Sequence, residues 1–408
     1  MSEMADVSIP NASASGVAAI VPPDNRSAPR LHFIDGLRGL AMLMVLLYHC
    51  WLFGGQWSVG LVAGGHRLDF APLLGFGHIG VNLFLVLSGF CLYWPFVKAG
   101  GRREPTLWEF AKKRCRRILP PYYAALLLSC GFLLLHDVVH HTTLDFHYLL
   151  NWLWIHALML HNLSPNYALS VNGSLWSLAL EFQLYILFPV LVEAYRRFNV
   201  RGVLWTILIL CSAYRLFLVR GHFIINDAYG YVLAYSIFGR AFEFALGMFT
   251  ALILARRQVE RKWSLLPTDF MVLAIVVVAA VLDGRHGSYQ TLTDAMYGLL
   301  FAVLILAGSR AGTFLNRALS SRVMVALGLF SYSVYLIHLP LVMALGAEAQ
   351  RRHLSNVQIV AFQLLFVVPL MLGLGYLFHL LFEKPFLTAP SSPEVAPAYI
   401  PVQKTFAE

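Results

Sequence analysis

An arginine and a histidine stand in an apolar segment that tolerates neither cheaply. In Asp35-Gly-Leu-Arg38-Gly-Leu-Ala-Met-Leu-Met-Val-Leu-Leu-Tyr-His49, ten residues separate Arg38 from His49, nine of them apolar or glycine and the tenth Tyr48. Eleven helical steps cover roughly 16 Å, about half the thickness of a hydrocarbon core. Ionisable groups at such depth are costly and by default mark a functional site. The plainer alternative is a snorkelling arginine with a histidine capping the end of the span.

A second polar set lies in Ser174-Leu-Trp176-Ser177-Leu-Ala-Leu-Glu181-Phe-Gln183-Leu-Tyr185. On antiparallel spans, His49 falls roughly 8 Å and Glu181 roughly 10 Å from the same membrane face. At matching depth the two can pair. A carboxylate beside an imidazole raises its basicity and orders its tautomer, which suits a general base. The alternative is a polar contact that glues two helices, contributing about 1 kcal/mol.

Lys112-Lys-Arg114-Cys-Arg116-Arg117-Ile-Leu-Pro120-Pro-Tyr122 puts Arg114 and Arg117 three residues apart, on one helix face at a membrane mouth. Two guanidiniums there make a phosphate clamp, or plain anchoring charge. Gly239-Arg240-Ala-Phe-Glu243 sets Arg240 and Glu243 at i, i+3, which reads as a structural clasp. Ser331-Tyr332-Ser-Val-Tyr335-Leu-Ile-His338 brings His338 near the depth of His49, either lining the same cavity or bonding within the bundle. Asp137, His140, His141, Asp145 and His147 match no metal-ligand spacing and read as a solvated loop, so no metal is expected.

The elements that must position these residues are membrane helices. Hydrophobic residues make up 59% of the 408-residue chain and charged residues 12%, too apolar for a soluble domain. The net charge of +9 sits in short loops, which argues for a lipid bilayer and against nucleic acid as partner. Five scattered cysteines form no disulfide framework. The expected fold is an all-α polytopic bundle of about ten spans: 37–54, 79–97, 119–136, 174–194, 202–219, 232–254, 268–282, 291–308, 323–346 and 357–382. Alternate loops 98–118, 195–201, 255–263 and 309–322 hold eighteen Lys and Arg, and the intervening loops five. Both termini are therefore expected in the cytoplasm. Segment 147–160 would invert that pattern as a further span, so it reads as an interfacial or re-entrant helix on the outer side. The Gly-rich stretch 54–78 reads as an outer loop folded toward the site. Residues 1–30 and 389–408 are expected to be disordered tails flanking a transmembrane domain at 31–388.

Taken in order, these motifs resemble the acyltransferase-3 family of integral membrane acyltransferases. The resemblance rests on Arg38-x10-His49, Phe84-Leu-Val-Leu-Ser88-Gly89-Phe90, Arg114-x-x-Arg117-Ile-x-Pro120 and Trp176-Ser-Leu-Ala-Leu-Glu181. It continues in Arg240-x-x-Glu243-Phe, Tyr335-Leu-Ile-His338-x-Pro340 and Glu383-Lys-Pro385. The family often carries a second acid where this chain has Phe182, which bears on the acceptor. Only the membrane unit is matched, without the extracytoplasmic hydrolase domain of some relatives.

The resemblance implies transfer of an acyl group, often acetyl, from cytoplasmic acyl-CoA as co-substrate to a hydroxyl of a carbohydrate or glycosylated acceptor, in a bacterial inner membrane. It implies no tightly bound cofactor. His49, with Glu181 and Arg38, would deprotonate the acceptor or first take the acyl group itself. Arg114, Arg117 and Ser88 would hold the donor. Asp35, Tyr185, Arg240, Glu243, Tyr335 and His338 would line the cavity or brace it. A proton-coupled secondary transporter would use the same intramembrane Arg, His and Glu set, and a scaffold subunit would not need His49.

Overall fold

The structure is a computed structural model describing residues 31–387 apart from 57–59, 64–65, 70–73, 100–105, 141–145, 222–231 and 261–289. The expected tails, the loop residues His141 and Asp145 and the expected span 268–282 lie outside the described residues. Among the described residues, eight helices are long and apolar enough to cross a membrane, and Thr293–Gly308 is a shorter apolar helix. The molecule is an all-α integral membrane bundle. Among the described residues the one departure is a short antiparallel hairpin, β1 (Gly60–Ala63) with β2 (His66–Asp69), inside the Gly-rich stretch.

Helix α1 (His32–Phe53) carries Arg38 and His49. Helix α2 (Gly80–Ala99) follows a 3-10 turn at Phe76–Ile79. Helix α3 (Leu107–His140) differs from the expected span 119–136: it begins twelve residues earlier, inside the expected loop, and runs unbroken past Pro120 and Pro121. A reciprocal cap starts it, with Thr106 Oγ1 accepting from Glu109 N at 3.2 Å and Glu109 Oε2 from Thr106 N at 2.9 Å. Thirty-four residues reach roughly 51 Å, more than a hydrocarbon core, so the turns bearing Arg114 and Arg117 extend the span toward the membrane surface.

Helix α4 (Phe146–Ala157) has twelve residues and reaches only roughly 18 Å, too short to cross. Its end is tied to α3: Tyr122 OH donates to His156 O and Tyr123 OH to Ala157 O, each at 2.9 Å. Tyr122 lies roughly 27 Å before the end of α3, so α4 turns back along it. Of the two expected readings, this favours re-entrant over interfacial. The His156 and His161 rings stack beside that joint with centroids 4.0 Å apart.

Helices α5 (Trp176–Arg197), α6 (Val200–Arg220), α7 (Ile237–Glu260) and α8 (Gln290–Gly308) complete the first part of the bundle. The expected span 323–346 is broken. Helix α9 (Phe314–Leu319) is followed by α10 (Arg322–Leu329), and after Phe330 the chain continues as α11 (Ser331–Arg351). A Cβ at Gly328 would stand 1.8 Å from Asp35 O, so α10 lies hard against α1 and the chain must redirect before α11. The last span, Asn356–Phe386, comprises α12 (Asn356–Phe362) and α13 (Val368–Phe378), with π-helical turns at Gln363–Val367 and His379–Glu383.

Helices α2 and α7 pack on reciprocal glycines. A Cβ at Gly247 would lie 2.0 Å from Val86 O, and one at Gly89 would lie 2.0 Å from Phe244 O. Such contact lets dispersion act between backbones in lipid, where apolar burial alone gives no preference for protein over tail. Large apolar side chains such as Leu127, Ile209, Phe217 and Leu365 remain on the outside, as a lipid-facing surface requires. Gly247→Ala should therefore force α2 from α7 and destabilise the bundle by about 1–3 kcal/mol. Thermal unfolding followed by size-exclusion chromatography in detergent measures this; an unchanged midpoint would contradict the packing.

Candidate active site

Seven of the site residues named from sequence meet at one cavity: Arg38, Ser88, Arg114, Arg117, Glu181, Tyr185 and Tyr335. They come from α1, α2, α3, α5 and α11. Cys91, Tyr332 and Glu383 also line it. The break after α10 puts Leu329, Ser331 and Tyr332 on the wall, with Ser331 Oγ donating to Gly328 O at 2.9 Å.

Glu181 is the polar centre. Ser88 Oγ donates to its Oε1 at 2.6 Å, and Tyr185 OH donates to the same oxygen. The expected pairing of His49 with Glu181 is therefore corrected. His49 Nδ1 lies 2.9 Å from His338 Nε2 instead. Helical rise gives height and not azimuth. Tyr185 stands one turn from Glu181 on its own helix and shares Oε1 of the carboxylate with Ser88. His49 and His338 do not line the cavity. They adjoin it through Tyr335, whose ring centroid lies 5.6 Å from that of His338. Tyr335 OH in turn lies 2.6 Å from Ser177 Oγ.

Pro340 helps to shape this wall. Proline has no N–H and clashes with the carbonyl four residues back, here Leu336. That carbonyl accepts from Asn172 Nδ2 at 2.9 Å instead, which ties α11 to the segment leading into α5. At the other end of α11, Ser333 Oγ donates to Glu383 Oε2 at 2.6 Å, and His379 Nδ1 lies 2.8 Å from the same oxygen. The Glu383-Lys-Pro385 motif thus anchors the last span to the cavity wall.

The arginines divide by their partners. Arg38 pairs with Asp35, buried behind it, at 3.7 Å. Arg240, 1% exposed, pairs with Glu243 at 3.3 Å as expected, but Asp294 is nearer at 2.6 Å. Asp294 also pairs with Arg215, while Asn82 Nδ2 donates to Asp294 at 3.0 Å and to Glu243 at 3.3 Å. This clasp joins α2, α6, α7 and α8 away from the cavity. Sequence reasoning missed Arg215 and Asp294, although each is an ionisable residue in an apolar helix, the same signal that marked Arg38. Arg114 and Arg117 make no ion pair with a carboxylate among the described residues. Arg114 Nε is buried there without a hydrogen-bond partner, its guanidinium 5.8 Å from the Phe110 ring centroid. Both are half-buried, whereas Lys112, Lys113 and Arg116 on the same helix are exposed.

Among the described residues no group of three or more His, Cys, Asp or Glu could hold a metal ion.

A membrane bundle enclosing a cationic, hydroxyl-rich cavity defines an integral membrane protein with a buried polar site. Residues 31–380 match the acyltransferase-3 family model, described as an acyltransferase domain, and the chain belongs to that family. It is 28% identical over 334 residues to the putative peptidoglycan O-acetyltransferase YrhL of Bacillus subtilis, covering 76% of this chain and 48% of that protein. To the O-acetyltransferase OatA of Staphylococcus aureus it is 25% identical over 327 residues, covering 76% of this chain and 50% of that protein. The chain thus spans about half the length of the curated relatives it matches. No solved structure matches.

Asp294→Ala should leave two buried guanidiniums short of their shared anion, and breaking such a buried pair costs about 3–5 kcal/mol. The expected outcome is loss of folded protein in detergent, measured by monodispersity and melting temperature. Wild-type melting would mean that the clasp is not structural.

Proposed function

We propose that the protein is a membrane-embedded O-acyltransferase. It moves an acyl group, acetyl foremost, from cytoplasmic acyl-CoA to a hydroxyl of a sugar-containing acceptor. The observation that carries this is the pair Arg114 and Arg117. Among the described residues they lack carboxylate partners yet line the cavity that holds Glu181, whereas Arg38, Arg215 and Arg240 are all paired. Two half-buried guanidiniums on one face of α3 suit a bidentate hold on donor phosphates. Family membership and the names of the relatives support the reaction class; the name of the Bacillus subtilis relative points to peptidoglycan as acceptor. The charge distribution supports both termini in the cytoplasm, and the bacterial sources of the relatives support a bacterial membrane.

In this reading the donor enters at the basic end and its pantetheine arm passes Arg38 and Ser88. The acceptor arrives from the opposite face. His49 takes the acceptor's hydroxyl proton, or takes the acyl group first. Glu181, engaged by Ser88 and Tyr185, orders the cavity wall rather than the imidazole.

Purified protein with labelled acetyl-CoA, assayed for thioester loss and for label on a glycan acceptor, tests the reading. Transfer is expected in the wild type and should fall about 10²–10⁴-fold in His49→Ala. A His49→Ala protein retaining more than about a tenth of the activity would remove His49 from the chemistry, since a general base contributes at least about 10²-fold. A wild type that consumes no thioester would reject acyl transfer altogether. A transporter would behave that way.

The donor site has its own test. Charge-assisted hydrogen bonds contribute about 1.5–3 kcal/mol, so Arg117→Ala should weaken apparent acetyl-CoA affinity about ten- to a hundredfold. Lysine cannot reproduce the fork, so Arg114→Lys and Arg117→Lys should also bind more weakly. Wild-type affinity in both lysine variants would reduce the arginines to anchoring charge.

A further inference from the structure

Two imidazoles from different helices meet inside the bundle, and their hydrogen bonds settle which nitrogen carries each proton. His338 is fully buried on α11. Its Nδ1 lies 2.8 Å from Tyr335 O and 3.2 Å from Val334 O. Backbone carbonyls only accept, so His338 Nδ1 must carry a proton. In the neutral ring Nε2 is then a bare acceptor. His49 Nδ1 stands 2.9 Å from that acceptor and must donate to it. The proton of neutral His49 is thereby committed to Nδ1, and Nε2 keeps its lone pair. His49 is half-buried on α1, with Phe53 stacked on it at 6.0 Å between centroids. Its Nε2 makes no hydrogen bond among the described residues.

We propose that His338 is the positioning residue of His49, holding it in the Nδ1–H tautomer so that Nε2 is the reactive nitrogen. This rests on the acyltransferase reading above and replaces the carboxylate that the sequence suggested for the role. The arrangement serves either route of transfer. As a base, Nε2 takes the proton as the acceptor O–H bond breaks, and the freed oxygen forms a C–O bond at the thioester carbonyl carbon. The C–S bond breaks with its electron pair on sulfur, and the departing thiolate takes the proton back from Nε2. As a nucleophile, the same lone pair forms the C–N bond while the thiolate leaves; the acceptor oxygen later forms the C–O bond as the C–N bond breaks, and its proton passes to the freed Nε2 and from there to the thiolate.

In both routes positive charge develops on His49. The proton on Nδ1 can shift toward His338 Nε2, and the carbonyls of Tyr335 and Val334 stabilise the charge at the far nitrogen. Second-sphere partners that order an imidazole's tautomer in this way are general to histidine chemistry. A contact that only glued α1 to α11 would not need the His338 ring to be oriented by two carbonyls on its far side.

The proposal separates acceptor chemistry from packing. In His338→Gln the side-chain oxygen can still accept from His49 Nδ1; in His338→Leu nothing can. The leucine variant should lose at least about a hundredfold in kcat, the scale of a misplaced general base, with the KM for acetyl-CoA within about threefold of wild type. Glutamine should recover at least about tenfold over leucine. Leucine activity within about threefold of wild type would overturn the proposal. So would equal losses in both variants when both remain folded by size-exclusion chromatography. Should neither variant fold, ¹⁵N-histidine solid-state NMR of the unsubstituted protein in bilayers decides, with the His49 signals assigned by their loss in His49→Ala. A protonated Nδ1 and bare Nε2 are expected, and the opposite tautomer overturns the proposal. Failure of the acyltransferase reading would show separately, as a wild type that consumes no acetyl-CoA while its NMR tautomer is still read.

Discussion

A guanidinium in a hydrocarbon slab must find an anion, a dipole or a ligand, and this constraint organises the bundle. Neither water nor lipid can stand in for a missing partner at that depth. Arg215 and Arg240 meet the requirement with Asp294 and Glu243, and in doing so bind α6, α7 and α8 together, with Asn82 of α2 joined to the same acids. Arg38 meets it with Asp35 one turn away. Once these are paired, Arg114 and Arg117 stand apart as half-buried cations with no carboxylate partner among the described residues. They sit roughly two to three turns inside the long helix α3, on the wall of the cavity.

Close backbone approach is the second condition. In lipid the hydrophobic effect does not drive helices together, so contact surfaces must fit. The reciprocal glycines Gly89 and Gly247 bring α2 onto α7, and Gly89 adjoins Ser88, whose hydroxyl holds Glu181. Gly328 does the same for α10 against α1, and the redirection that follows sends Ser331 and Tyr332 to the cavity wall. Packing and chemistry are therefore coupled through single residues that take no part in the reaction.

Polar backbone groups released by irregular helices are reused. Pro340 frees Leu336 O, and Asn172 occupies it. His338 shares the carbonyls of Tyr335 and Val334 on the same helix. These side-chain contacts to the α11 backbone hold the His338 ring facing another helix at this depth. Glu383 braces the far end of the same helix through Ser333.

Composition and charge pattern alone established a polytopic helical membrane protein, because solvation in a bilayer acts residue by residue and needs no knowledge of partners. The spacing of Arg38 and His49, the Arg114 and Arg117 face and the Trp176 to Glu181 motif marked four of the five charged residues on the cavity wall, all but Glu383, for the same reason: an ionisable group in an apolar run is visible locally. Helical rise also placed His49, Glu181 and His338 at comparable depth. The partners were decided only by tertiary structure. Depth leaves the rotation of each helix undetermined, so whether His49 met Glu181 or His338 depended on how α1 packs against α11. The break at Phe330 and the pairing of Arg215 and Arg240 with Asp294 were hidden likewise, since each arises from close contacts between segments far apart in the chain; Arg215 and Asp294 themselves carried the local signal of an ionisable residue in an apolar helix.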